Sequence, residues 1–158
     1  FLGQLALLIG ANAAQTGWII AIAQIAGIIG GLSAAPLSKR LGVIAALTVT
    51  SGLHALIICV AIWTDNINVL GVTAFCEAVL FIIMIPLMLT LAANIDKQGR
   101  WAAAAGGVFT MSTAFGPIIG ALLIESTGYQ GVAWLQIIAT IPAVFIFLRV
   151  NRFTKNTN

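Results

Sequence analysis

Glu77 stands in "TAFCEAVLF", some nine residues inside an apolar run that ends only near Asn94. A charged side chain at the centre of a bilayer costs at least ~2.5–3.5 kcal/mol, so an acid kept there points to a function. Low-dielectric surroundings favour a carboxyl's neutral form. A carboxyl that can take up and release a proton in hydrocarbon suits proton-coupled transport. A structural alternative is a protonated acid tied to a neighbouring helix. On a helix, Thr73 and Phe81 share its face one turn to either side, and Met84 follows at the next turn.

His54 follows Thr50 and Ser51 on one face of an earlier run. An imidazole there could relay protons, or simply bond a hydroxyl on its own or an adjacent helix. Gln24 could bind substrate or bond another helix. Thr110 and Thr113 precede Pro117, whose missing N–H leaves the Thr113 carbonyl without its helical donor. The threonines could mend that backbone, or a kink there could expose polar groups to a cavity. Pro86 and Pro142 free the carbonyls of Ile82 and Ile138 in the same way. Cys59 and Cys76 lie inside apolar runs and read as small fillers. One His without a matching Cys or acid spacing gives no metal site, and no cofactor motif, Walker loop or Ser-His-Asp order is present. His54 and Glu77 sit on different spans without a third partner, so an intramembrane enzyme or membrane scaffold is the weaker alternative to a carrier.

These residues must be held by membrane helices. The chain has 158 residues, 61% hydrophobic and 7% charged, with a mean hydropathy of +1.11. Soluble domains carry about 25% charged residues. About 20 apolar residues cross the ~30 Å hydrocarbon core, and lipid supplies no hydrogen bonds, so each run must be helical. Polar joints cut the chain into spans at about 1–10 (partial), 18–37, 43–63, 69–94, 101–124 and 132–148, with a loop at "ANAAQTG". The expectation is an all-α, polytopic membrane helix bundle of five complete transmembrane helices and a truncated first one. A secretory signal peptide does not fit, because apolar runs recur along the whole chain and no basic segment opens it. The start at Phe1, inside an apolar run, reads as a fragment.

All seven Lys and Arg residues fall in alternate joints or the tail: Lys39 and Arg40; Lys97 and Arg100; Arg149, Arg152 and Lys155. The opposite face has Asp65 and Glu125. The positive-inside rule makes the cationic face, and the C-terminus, cytoplasmic in a plasma (inner) membrane. Trp18, Trp63, Trp101 and Trp134 all sit near span ends, where indole prefers the headgroups. The net charge of +3 is thus a topology signal with lipid as its partner. Scattered cations without interleaved aromatics do not make a nucleic-acid surface. Ala23, Gly27, Gly31 and Ala35 repeat every fourth residue, a face for close helix packing. Pro36 is expected where the helix is ending.

Three stretches carry a family resemblance. "GLSAAPLSKRLG", residues 31–42, resembles the signature loop of the major facilitator superfamily: a glycine, variable residues, then Asp-Arg-x-Gly and further cations. Gly31, Arg40 and Gly42 match; Lys39 replaces the usual acid, and Val43 and Ile44 replace the usual cations. The acid's role in the gate is therefore not carried over. Gly116, Pro117 and Gly120 match the Gly-Pro-x-x-Gly element of that family's eleventh helix. Residues 8–30 resemble its seventh-to-eighth joint. The resemblance covers the chain in order and implies the C-terminal half of a twelve-helix transporter, its seventh helix truncated. It implies a missing N-terminal six-helix half as partner and a small-molecule substrate carried by alternating access around a midplane site. It places Glu77 on the tenth helix, which lines the central cavity, and His54 on the peripheral ninth. The isolated chain is expected to aggregate, or to pair with an N-terminal half when co-expressed.

Overall fold

The computed structural model describes residues 2–96 and 98–156; Lys97 and the side chains of 151–158 lie outside the described residues. Among the described residues six helices follow one another: α1 (Leu2–Leu8), α2 (Ala13–Leu41), α3 (Val43–Trp63), α4 (Ile67–Ile95), α5 (Arg100–Thr127) and α6 (Tyr129–Asn156). Five of them, α2 to α6, are long and apolar enough to cross a membrane. The chain is an all-α, polytopic membrane helix bundle.

The helices overrun the expected spans, for local reasons. "ANAAQTG" is not a loop throughout: Asn12 caps α2, its side chain accepting the Gln15 N–H at 2.9 Å while Gln15 Oε1 accepts the Asn12 N–H at 2.9 Å. This reciprocal box satisfies two orphan donors and starts the helix at Ala13. Nor does Pro36 end it, since α2 runs on to Leu41. Lys39 and Arg40 therefore lie in its last turn, where cations meet the negative end of the helix dipole.

Two of the hairpins turn on single glycines. Gly42, with φ 79° and ψ 153°, alone separates α2 from α3, and Gly128, with φ 70° and ψ −174°, alone separates α5 from α6. That backbone region is essentially open to glycine only. At the α4–α5 joint Asp96 accepts the backbone N–H groups of Gln98 at 2.9 Å and Arg100 at 3.2 Å. The Gln98 bond, with help from Arg100, holds the Asp96 carboxyl below the usual carboxylate range.

Packing centres on α2 against α4. A Cβ on Gly30 would come within 2.5 Å of the Val79 carbonyl oxygen, and one on Gly27 would touch the Ile82 side chain at 3.3 Å. The buried row of α2 is Ile19, Ala26, Gly30 and Ala34. The expected row lies one position beside it: Gly27 and Gly31 also meet Ile82 of α4, at 3.3 and 3.7 Å from their Cβ positions, while Ala35 is exposed. Two apolar clusters result. One gathers Leu5, Ala6, Ile19, Ala61, Leu70 and Ala74; the other gathers Ala34, Ala46, Leu47, Ile83, Leu87 and Phe147. Helix α5 has no buried residue, and Gly116 and Gly120 face open space. All four tryptophans are at least half exposed.

Candidate functional site

Between the two apolar clusters lies a polar level. Along α3, His54 is midway between Leu47 of one cluster and Ala61 of the other; along α4, Glu77 lies between Ala74 and Ile83. The buried row of α3, Leu47, Thr50, His54, Ile58 and Ala61, has the three-to-four spacing of one helix face, so His54 is turned inward. Its Nε2 stands 3.5 Å from Glu77 Oε1 on α4. Helix α6 closes the other side, where Gln136 Nε2 is 3.2 Å from His54 Nδ1.

The proton positions follow from the far end of this chain of contacts. The Thr140 hydroxyl donates to the Gln136 backbone carbonyl at 2.7 Å. Its oxygen is then free to accept, and it accepts from Gln136 Nε2 at 3.4 Å. The Gln136 amide thus spends one N–H on Thr140 and aims the other at His54. Nδ1 of the ring must accept, so the neutral imidazole carries its proton on Nε2. That N–H faces the Glu77 carboxyl. The gap of 3.5 Å permits attraction but lacks hydrogen-bond alignment, and this buried nitrogen has no hydrogen-bond partner among the described residues. A buried donor left unmet costs ~1–3 kcal/mol, which favours closing this gap.

Around the pair, the α4 face read from the sequence packs on α3. The Phe81 ring lies 6.2 Å from the His54 ring and 6.3 Å from Phe109 of α5. Ser51 donates to Met84 Sδ at 3.4 Å. Thr73 is buried and bonds the Leu70 carbonyl of its own helix at 2.9 Å. His54 bonds no hydroxyl of its own or an adjacent helix among the described residues, the structural alternative read from the sequence, but reaches Glu77 of α4 and Gln136 of α6 instead. Its pairing with Glu77 also has the third partner that the spacing did not reveal. Gln136 and Thr140 are not among the sequence candidates, although two polar residues one turn apart within the last span are a readable signal.

The remaining candidates lie apart from this network. Gln24 is exposed on α2. Thr110 and Thr113 are exposed on α5 and bond the Gly106 and Thr110 carbonyls at 3.0 and 2.8 Å; neither mends the Thr113 carbonyl freed by Pro117. Gly27 and Gly31 face Ile82. Arg40 is exposed and Gly42 forms the turn. Among the described residues no three His, Cys, Asp or Glu side chains converge on a metal position.

A bundle with five helices long and apolar enough to cross a membrane is the build of an integral membrane protein. The sequence pattern of the Major Facilitator Superfamily matches residues 1–158. The chain belongs to that superfamily, and so to a family of membrane transporters. No curated protein and no solved structure matches it.

Proposed function

We propose that this chain is the C-terminal half of a proton-coupled secondary carrier that moves a small molecule by alternating access, with Glu77 as its proton site. The observation that carries this reading is the Nε2–H of His54 aimed at Glu77 across 3.5 Å. An ionised carboxylate would draw that donor in; a protonated one would release it. Loading a proton would thereby change how α4 sits on α3, which is what coupling requires. Three further features support the arrangement. No residue of α5 is fully buried, and this open helix suits an N-terminal six-helix half as its cover. Lys39, Arg40, Arg100 and Arg149 share one end of the bundle, which suits a cytoplasmic C-terminus in a plasma (inner) membrane. The Thr140 hydroxyl donates to the Gln136 carbonyl and not to His54, so no hydroxyl is set against the imidazole as a nucleophile–base pair, which favours a carrier over an enzyme.

The test uses the full transporter in proteoliposomes with a pH gradient. Glu77→Gln should abolish gradient-driven accumulation of a transported compound and keep its exchange across the bilayer. Full accumulation by that variant would reduce Glu77 to a structural residue. Co-expression with an N-terminal half should recover a stoichiometric complex on affinity capture; a monodisperse, transport-competent isolated chain would overturn the half-carrier reading.

A further inference from the structure

A cavity of about 560 Å³ lies between α4 and α5, toward the cationic end of the bundle. Its size falls in the ~300–1,000 Å³ range of small-molecule sites. Phe81, Met84, Met88, Trp101, Phe109 and Ser112 are among its walls. Hydrogen-bonding capacity there is scant. The Ser112 hydroxyl proton is already given to the Val108 carbonyl at 2.8 Å, and Met84 Sδ is engaged by Ser51. Trp101, at the exposed first turn of α5, offers one indole N–H.

We propose that this cavity is a substrate-binding site and that the substrate is an uncharged, apolar organic molecule bearing an aromatic ring. The proposal rests on the carrier reading above and narrows its substrate. A sugar entering the cavity would leave most of its hydroxyls unpaired, at a cost in free energy for each. A charged group would fare worse, since no ionised side chain lines the wall. Aromatic rings and thioethers instead reward an aromatic guest through tilted ring contacts and sulfur–ring contacts. The site also touches the proton machinery. Phe81 is a wall of the cavity, and its ring lies 6.2 Å from that of His54. A guest that displaces Phe81 presses on the imidazole that Glu77, one turn away on the same α4 face, also meets. Occupancy is thereby linked to the pair through one side chain.

The probe is N-phenyl-1-naphthylamine, uncharged at neutral pH, added to the full transporter in lipid nanodiscs. Trp101 serves as the reporter once every other tryptophan of the transporter, Trp18, Trp63 and Trp134 among them, is replaced by Phe. Saturable quenching of Trp101 is expected. Ala105→Phe, which fills the cavity, should weaken it by about tenfold. Leu56→Phe, on the exposed side of α3, should leave it unchanged, and maltose should not compete. Should Ala105→Phe fail to fold, Met88→Ala must still weaken binding several-fold. Quenching that never saturates, or that Ala105→Phe leaves intact, would mean that the probe sits in lipid or that an acyl chain fills the cavity, and would overturn the assignment. Competition by maltose would overturn it too. Loss of saturable binding with Glu77-dependent accumulation intact would refute the cavity alone. Saturable binding in a protein whose accumulation ignores Glu77→Gln would refute the coupling mechanism and leave the binding site standing.

Discussion

Gly30→Ala adds one methyl group, yet it strikes a place where the α2 and α4 backbones come close. The added Cβ would lie 2.5 Å from the Val79 carbonyl oxygen, where ordinary contact begins at 3.4 Å, so the α2 and α4 backbones must part by about 0.9 Å. The obstacle is main chain and cannot rotate away. A gap of 0.5–1 Å forfeits roughly a quarter to a half of each contact's attraction. It would open along the whole row of Ala26, Gly30 and Ala34. The expected loss is ~1–3 kcal/mol, the usual cost of overpacking. Equilibrium unfolding of the transporter in mixed micelles, titrated with a denaturing detergent, measures it. Gly52→Ala is the matched control, since Gly52 on α3 has open space around its Cβ position. If Gly30→Ala and Gly52→Ala unfold within about 0.5 kcal/mol of each other, the close approach is not what holds α2 to α4 and the reasoning fails.

Three further outcomes are expected. Gly42→Ala should destabilise by ~1–3 kcal/mol, because a side chain is forced into a glycine-only turn; the same micelle titration checks it, and a neutral result would show that the α2–α3 hairpin has another route. ¹⁵N NMR of His54 should find Nε2 protonated and Nδ1 bare, with Gln136→Leu mixing the two tautomers; a proton resident on Nδ1 in the unaltered protein would refute the Thr140–Gln136–His54 order. Asp96 is held below its ordinary range by the Gln98 amide, so its grip on the α4–α5 joint should be present above about pH 4, the unperturbed carboxylate value, and fade as the pH falls. Asp96→Asn should therefore speed hydrogen exchange at Gln98 and Arg100 at neutral pH, and equal rates in both proteins would argue against the joint's carboxylate staple.

The spans were legible because crossing hydrocarbon demands length and apolarity, and both are written in composition. Their ends were less so: the Asn12–Gln15 box starts α2 in a stretch that looks like a loop, and Pro36 is carried within the helix. Helix faces were legible only where polar residues marked them, as along α4 around Glu77. Leu47 is fully buried while Leu56 of the same helix is 58% exposed, and hydropathy cannot separate leucines that face lipid from leucines that face protein. The packing row on α2 shows the same ambiguity. Small residues come in adjacent pairs, Ala26–Gly27, Gly30–Gly31 and Ala34–Ala35, so the four-residue repeat exists twice, side by side. Glu77 stood out by its depth alone. Its partner did not, since helix rotation decides whether His54 of α3 faces α4, and rotation is set by that same unreadable packing.

The order of the polar level along the chain bears on how the protein is made. His54 belongs to α3 and is synthesised before Glu77 of α4. When α4 is handed to the bilayer, its acid therefore meets an imidazole already at the same depth. An acid inserted alone would bear the full ~2.5–3.5 kcal/mol penalty; one inserted beside a waiting donor bears less. Gln136 arrives two helices later and fixes the ring only once both are in place. Biogenesis thus assembles this centre in sequence, donor first, acid second and clamp last, so a ribosome-bound intermediate that ends before α6 would hold the pair together with its imidazole still free to change tautomer.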